Sequence, residues 1–241
     1  MIATPATWLK LTASVGGVFL AFHLLADALG SDRGQAGVQV GAVVVALTLA
    51  VDRALFGSRG RAARLALGFD RAALLGLVVS ATICLVMLAA VPIFSLSVQS
   101  NAIWRPTPPL HVLGLAMQAG VAEELLFRGY LFGRLRDGRS FGRAAFAAMP
   151  PFVLVHLMLF FTMPWPVALA AVLLAAVMSF PFARLYEIGG HTIWAPALLH
   201  FVVQGTVKIV EFPLAGATTF PIVWMLVAAI VPWLVFLVRR R

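Results

Sequence analysis

The sequence predicts an all-α fold: a polytopic membrane bundle of about eight transmembrane helices with both termini in the cytoplasm. Hydrophobic residues make up 62% of the 241 residues and charged residues only 11%, whereas a soluble domain has about 45–50% and about 25%. Apolar runs close to the roughly 20 residues that cross a bilayer recur along the chain, and no long polar segment separates them. We therefore expect one integral membrane domain over residues 1–241.

Composition also excludes several classes of protein. A net charge of +9 would suggest nucleic-acid binding in a soluble protein, but the basic residues cluster in loops between apolar runs. We therefore expect the lipid bilayer, and no nucleic acid, as a partner. Cys84 is the single cysteine, which excludes an internal disulfide and a thiolate zinc site. The first apolar run lacks a small-residue cleavage site, so we interpret it as a retained helix and not as a signal peptide.

Glycine, proline and charge clusters set the limits of the predicted spans. The spans lie near residues 11–29, 36–56, 72–94, 110–133, 144–163, 166–186, 192–211 and 221–238. The loops after the second and fourth spans are rich in arginine, and such loops face the cytoplasm. The polar, proline-rich segment "SVQSNAIWRPTPP" before the fourth span is either a lid or substrate entrance or a plain connector.

Ionisable side chains inside the predicted spans are the main functional signal. An ionised group near the middle of a bilayer costs on the order of 3 kcal/mol, so such groups usually face the protein interior and pair with another group. The five positions are Glu123, Glu124, Arg128, His156 and His200. Glu124 and Arg128 are four residues apart and share one helix face. Glu123 points roughly 100° away around the helix and is left freer for chemistry.

Helical rise places three of these groups at similar depths. At about 1.5 Å per residue, Glu123, His156 and His200 lie about 16, 20 and 15 Å from the nearest cytoplasmic markers. Two imidazoles and a carboxylate at one level form either a general acid/base site or a three-ligand metal site with an open position. The alternative for the charged residues is a structural ion cluster that fixes helix packing.

Four polar motifs follow one another along the chain: Glu123-Glu124-x-x-x-Arg128, Phe152-x-x-x-His156, Phe180-x-x-x-Arg184 and His200. Their order resembles that of one family, the CPBP intramembrane endopeptidases. This family includes the CAAX prenyl endopeptidases and bacteriocin-processing relatives. The motifs occupy residues 110–205, which the resemblance identifies as the catalytic core. For Arg184 itself, an anchor or a cap at the cytoplasmic helix end is as good an interpretation as a role in the site.

The resemblance implies a role for each motif residue. Glu123, assisted by His156, would activate the attacking water, while Glu124 and Arg128 would hold the site in place.

His200 and the residue one turn later would stabilise the developing oxyanion. That later residue is usually Asn or Asp in the family and is Gln204 here, which keeps the amide but adds a methylene group. His191 is a second departure, since a small or polar residue is expected at its position.

The resemblance favours a glutamate-dependent mechanism with no obligatory metal. Zinc remains an alternative, with Glu123, His156 and His200 as the candidate ligands, although the helix-borne His-Glu-x-x-His signature is absent.

The leading hypothesis is therefore an intramembrane endopeptidase that cleaves a membrane-anchored protein or peptide near its anchor. High Ala, Arg and Gly usage indicates a bacterium, so we expect the inner (plasma) membrane and a bacterial substrate. Hydrolysis needs water, which predicts a cavity that opens to the cytoplasm.

The alternative is a non-catalytic membrane protein, either an immunity factor or a proton-coupled transporter, for which His23 and Asp27 on the first span could form a relay pair. Lys208 and Glu211 are expected to form an ordinary exposed pair.

Overall fold

The computed structural model describes residues 5–30, 34, 36–213 and 216–238, and helices dominate this part of the chain. The first half contains α1 (Pro5–Ala28), α2 (Gly37–Phe56), α3 (Gly60–Ala66), α4 (Leu74–Leu88), α5 (Ala90–Ser97) and α6 (Pro109–Leu115). The second half contains α7 (Gly133–Arg136), α8 (Phe141–His156), α9 (Trp165–Ile188), α10 (Trp194–Ile209) and α11 (Gly216–Ile230). Two π-helical segments, Ala116–Ala122 and Leu125–Phe132, join α6 to α7, and 3₁₀ turns at Leu157–Phe161 and Val231–Leu237 extend α8 and α11.

Seven continuous helical stretches of the described chain are long and apolar enough to cross a membrane. They are Pro5–Ala28, Gly37–Phe56, Leu74–Ser97, Pro109–Arg136, Phe141–Phe161, Trp165–Ile188 and Gly216–Leu237. The prediction of an all-α polytopic membrane bundle is confirmed. The predicted span without a counterpart among these seven is the seventh, residues 192–211, which corresponds to α10; its 16 residues extend only about 24 Å, less than the roughly 30 Å of a bilayer core. We refer to Pro109–Arg136 as the Glu–Arg helix.

One end of the bundle is held together by ion pairs between helix ends. Asp52 at the end of α2 pairs with Arg134 of the Glu–Arg helix, and Arg136 pairs with Glu187 at the end of α9. We call this the arginine end, because the arginine-rich loops lie here. It is the end that the sequence assigns to the cytoplasm.

Both limits of the described chain lie at the arginine end. The indole Nε1 of Trp8, in α1, donates to the carbonyl of Ala147 at 3.0 Å, near the start of α8. At the other limit of the chain, Arg184 Nη2 donates to the carbonyl of Val238 at 3.0 Å.

The opposite end carries a short β ladder that the sequence did not indicate. Ile103–Trp104 (β1) pairs antiparallel with Val210–Glu211 (β2), so the loop before the Glu–Arg helix is tied to the end of α10. Arg105, next to β1, forms an ion pair with Glu211 and thereby lowers the pKa of that carboxyl. The predicted Lys208–Glu211 pair is therefore wrong, because the ladder directs Glu211 towards Arg105.

The buried apolar side chains form two clusters that meet at the middle of the bundle. One cluster joins α1, α2, the Glu–Arg helix and α8, and includes Phe127 and Phe152. The other joins α4, α5, α9, α10 and α11, and includes Phe182, Leu199 and Trp224. Helix α9 contributes side chains to both clusters. A group that lies between the clusters can therefore contact helices from both of them.

The Glu–Arg helix packs unusually closely against the segment after α3. At Gly129, a Cβ atom would lie 2.2 Å from the carbonyl oxygen of Leu67. Because that oxygen belongs to the backbone, it cannot swing aside. Small residues allow such close helix contacts in membrane proteins.

We predict that Gly129→Ala lowers the free energy of unfolding by about 1–3 kcal/mol through overpacking. Thermal unfolding of the purified protein in detergent measures the change. Gly142→Ala is the matched control, because nothing lies within 4 Å of a Cβ atom there and alanine favours a helix. Equal unfolding temperatures for the two variants would contradict the close contact.

Candidate active site

Four ionisable side chains of the predicted site form one buried polar cluster. Glu123, Glu124 and Arg128 of the Glu–Arg helix and His200 of α10 are each at most 4% exposed. The cluster lies where the two apolar cores meet, so every charge in it must be balanced by another member or by an aromatic face.

A glycine allows the two helices of the cluster to approach. At Gly120, a Cβ atom would lie 2.9 Å from the carbonyl oxygen of Ala197 in α10. Gly120 lies three residues before Glu123, and Ala197 lies three residues before His200. The close backbone approach therefore brings a glutamate side chain within reach of the imidazole.

One carboxylate oxygen of Glu124 contacts both the guanidinium of Arg128 and the imidazole of His200. Glu124 Oε1 lies 3.2 Å from Arg128 Nη1 and 2.6 Å from His200 Nδ1. A carboxylate in contact with a guanidinium accepts hydrogen bonds and cannot donate one, so Nδ1 of His200 carries the hydrogen. Glu124 thereby fixes both the orientation and the tautomer of the ring. The predicted i, i+4 contact between Glu124 and Arg128 is present.

The other ring nitrogen of His200 faces the remaining two groups. Gln204 Nε2 lies 2.7 Å from His200 Nε2, and Glu123 Oε2 lies 3.6 Å from the same atom. Because a neutral imidazole with a hydrogen on Nδ1 has a lone pair on Nε2, it accepts a hydrogen bond from the Gln204 amide. The longer side chain of Gln204, one helical turn after His200, therefore reaches the site.

Two phenylalanine rings enclose the buried guanidinium. The Cζ atom of Arg128 lies 4.2 Å from the ring centroid of Phe152 and 4.7 Å from that of Phe182. Phe182 also stacks on His200, with centroids 4.8 Å apart and planes inclined by 26°. Cation–π contacts of this kind are worth about 2 kcal/mol or more when desolvated. Sequence reasoning missed Phe182, because a phenylalanine in an apolar span carries no signal that separates a site residue from a packing residue.

His156 lies beside the cluster and is oriented by its own helix. Its Nδ1 is 2.7 Å from the carbonyl oxygen of Phe152, and the two rings meet edge to face with centroids 4.7 Å apart. The ring of Phe152 thus contacts both His156 and the guanidinium of Arg128. The Phe-x-x-x-His spacing places these two side chains on the same side of α8.

A cavity of about 470 Å³ adjoins the cluster between α8, α9, α10 and α11. His156, His200 and Gln204 line its inner part, whereas Met163 and Pro221 line its outer part. Most of the remaining wall is apolar. The sequence suggested a cavity that opens at the arginine end, but this cavity extends towards the end with the β ladder, because its outer lining comes from the start of α9 and α11 and the end of α10.

The site residues lie within a segment that resembles known proteases. Residues 105–206 match the family model of Type II CAAX prenyl endopeptidase Rce1-like proteins. This segment is therefore similar to that family. The match confirms the resemblance predicted from the motifs and includes all six predicted site residues, Glu123, Glu124, Arg128, His156, His200 and Gln204. No curated protein matches the chain.

The arrangement of the candidate ligands does not fit a zinc ion. Zinc in a catalytic site takes three protein ligands at about 2.0–2.2 Å. Within the described ranges, no three His, Cys, Asp or Glu side chains are grouped in a way that could hold a metal. Nε2 of His200 already contacts the amide of Gln204 at 2.7 Å, so ligation through that nitrogen would require this contact to be broken.

Other residues singled out by the sequence lie outside the cluster. Arg184 pairs with Glu187 and Val238 at the arginine end, which is the anchoring role that the sequence left open. Phe180 stacks against Trp233. His191 lies in the turn between α9 and α10 with a φ of 59°.

We predict that Arg128→Met lowers the free energy of unfolding by roughly 3–5 kcal/mol, because it leaves the Glu124 carboxylate buried without its cation. The double variant Glu124→Gln/Arg128→Met should recover part of this loss, since it removes both charges. Unfolding in detergent measures both. Arg105→Met is the matched control, because its ion pair with Glu211 is exposed and its loss should change stability little. An equal effect of Arg105→Met and Arg128→Met would contradict the buried pair.

Proposed function

We propose that the chain is an intramembrane endopeptidase that cleaves a membrane-anchored protein or peptide near its anchor. One observation carries the proposal: an oriented imidazole and an amide, those of His200 and Gln204, line an apolar cavity inside a membrane bundle, and the buried carboxylate of Glu123 lies 3.6 Å from that imidazole. The Rce1-like match over residues 105–206 supports it, because that family is one of proteases.

In this proposal Glu123 is the general base. Its carboxylate removes a proton from a water molecule whose oxygen attacks the carbonyl carbon of the scissile bond. The proton then passes to the amide nitrogen as the carbon–nitrogen bond breaks. His156, on the wall of the same cavity, assists in positioning the water. A well-placed general base typically contributes about 10²–10⁴ in rate.

The other members of the cluster position the reacting groups. Glu124 holds His200 through Nδ1, and Arg128 pairs with Glu124. The contacts of His200 on both ring nitrogens favour a positioning role, so the donor to the oxyanion is Gln204. An amide nitrogen carries two hydrogens, and one can bind the imidazole while the other binds the substrate oxygen.

The apolar cavity receives the hydrophobic part of the substrate beside the scissile bond. We further propose that residues 110–205 form the catalytic core of one integral membrane domain. The arginine end would face the cytoplasm of a bacterial cell, and the chain would lie in the inner membrane. No metal takes part in the proposed reaction, because Glu123 activates the water directly.

We predict that Glu123→Gln abolishes turnover while the protein remains folded. The measurement is mass spectrometry of membrane-protein termini in cells that express the native chain or the variant at matched levels. Termini that depend on Glu123 would identify the substrate and the cut site together. With that substrate and purified protein, a zinc chelator should leave the rate unchanged.

Asp70→Asn is the matched control for this experiment, because Asp70 is exposed in the loop before α4. It removes a carboxylate without touching the site, and its termini should match those of the native chain. Identical termini in cells with native protein and Glu123→Gln would instead favour a non-catalytic protein, such as an immunity factor or a proton-coupled transporter.

We predict that Gln204→Leu lowers kcat by about 10²–10³ with little change in KM, because it removes one donor to the oxyanion. Gln204→Asn keeps the amide and should retain part of the activity. Single-turnover rates on the identified substrate measure both variants. A Gln204→Leu variant as fast as the native protein would remove Gln204 from the proposed mechanism.

A further inference from the structure

The connection between the second and third membrane-spanning stretches carries a high density of positive charge. Residues 53–71, which we call the arginine segment, contain one acidic residue and five exposed arginines, namely Arg53, Arg59, Arg61, Arg64 and Arg71. In the part of the chain that the structure describes, none of these five forms an ion pair. Three other arginines at the same end of the bundle pair with carboxylates that are almost fully buried. The arginine segment is therefore a basic surface whose charge the described protein leaves unbalanced.

The arginine segment lies at the level of the membrane surface. It connects α2 and α4, which both belong to stretches long and apolar enough to cross a membrane. The segment packs on the bundle through Ala63 and Leu67, and it leaves Arg61 and Arg64 of α3 exposed. Leu65, beside them, is 43% exposed. A surface helix that presents leucine and arginine together fits a bilayer interface, where leucine enters the acyl boundary and arginine reaches the headgroups.

The end of the arginine segment contacts both helices that carry the buried polar cluster. The carbonyl oxygen of Leu67 lies against Gly129 of the Glu–Arg helix, as the close approach there shows. The next carbonyl oxygen, that of Gly68, accepts a hydrogen bond at 3.1 Å from the backbone N–H of Ile193, the residue immediately before α10. Any contact that holds the arginine segment in place therefore also restrains the two helices of the site.

We propose that the arginine segment binds the phosphate headgroups of anionic phospholipids in the leaflet at the arginine end, and that this contact stabilises the packing of the Glu–Arg helix against α10. A guanidinium can bind two oxygens of one phosphate at once. Arg61 and Arg64 are three residues apart and are neighbours on the surface of α3. Each basic residue near an anionic membrane surface strengthens binding by roughly fivefold. The proposal goes beyond the proposed function and does not depend on cleavage of a substrate.

Purified protein in nanodiscs of phosphatidylcholine, with or without phosphatidylglycerol, tests the proposal. Phosphatidylglycerol should raise the unfolding temperature of the native protein, and high salt should reduce this gain by screening. Arg61→Gln/Arg64→Gln should lose most of the gain, whereas Arg61→Lys/Arg64→Lys should retain more of it because the charge is kept. Lys10→Gln/Arg143→Gln is the matched control, because it removes the same net charge from exposed positions on α1 and α8, outside the arginine segment.

Native mass spectrometry of the same proteins in detergent measures the bound lipid directly. The native protein and the control should retain phosphatidylglycerol in preference to phosphatidylcholine, and Arg61→Gln/Arg64→Gln should bind it about tenfold more weakly. Soluble glycerol phosphate should not replace the lipid. Equal retention of the two lipids, an equal loss in the two glutamine variants, or full replacement by glycerol phosphate would overturn the proposal.

Hydrogen–deuterium exchange tests the contact with the site helices. In native protein, phosphatidylglycerol should slow exchange of the Ile193 amide, which donates to the arginine segment, and should leave the β ladder at the opposite end unchanged. Arg61→Gln/Arg64→Gln should show no such slowing. Unchanged exchange at Ile193 in a protein that binds the lipid would overturn the stabilising effect on the site. These measurements use no substrate, so failure of the proposed function is recognised separately, by termini in cells that do not depend on Glu123.

Discussion

The contact of one oxygen, Glu124 Oε1, with both Arg128 and His200 is the constraint on which the site depends. In an apolar bundle the guanidinium of Arg128 needs an anion beside it, and the Nδ1 hydrogen of His200 needs an acceptor; this oxygen supplies both. The same oxygen also decides which ring nitrogen carries the hydrogen, and hence how His200 meets Gln204. Charge balance and chemical preorganisation are therefore a single property of this cluster.

The rest of the bundle can be understood as support for that contact. The rings of Phe152, from one apolar core, and Phe182, from the other, both contact the guanidinium of Arg128. The cation therefore lies at the boundary between the two cores. Gly120 and Gly129 lack a side chain, which allows the backbone of the Glu–Arg helix to lie directly against backbone carbonyl groups of neighbouring segments. The π-helical segments on either side of Glu123 and Glu124 fit the frequent occurrence of wider turns at functional sites.

The two ends of the bundle differ in how firmly they are held. Ion pairs at the arginine end involve carboxylates that are almost fully buried, those of Asp52 and Glu187. The ion pair beside the β ladder is exposed, and salt and water weaken such pairs. The cavity extends towards this less firmly held end, so access to the polar cluster from that end does not require disruption of the buried ion pairs.

The sequence by itself determined the class of fold, because hydropathy and length identify membrane helices without reference to their neighbours. It also determined the Glu124–Arg128 contact, which depends only on helical spacing. The tertiary structure decided that α10 brings His200 onto Glu124, that Phe182 covers the cation, and that Glu211 turns away from Lys208. These outcomes depend on close approach between distant helices and on a β ladder of two residues, neither of which leaves a periodic pattern in the chain.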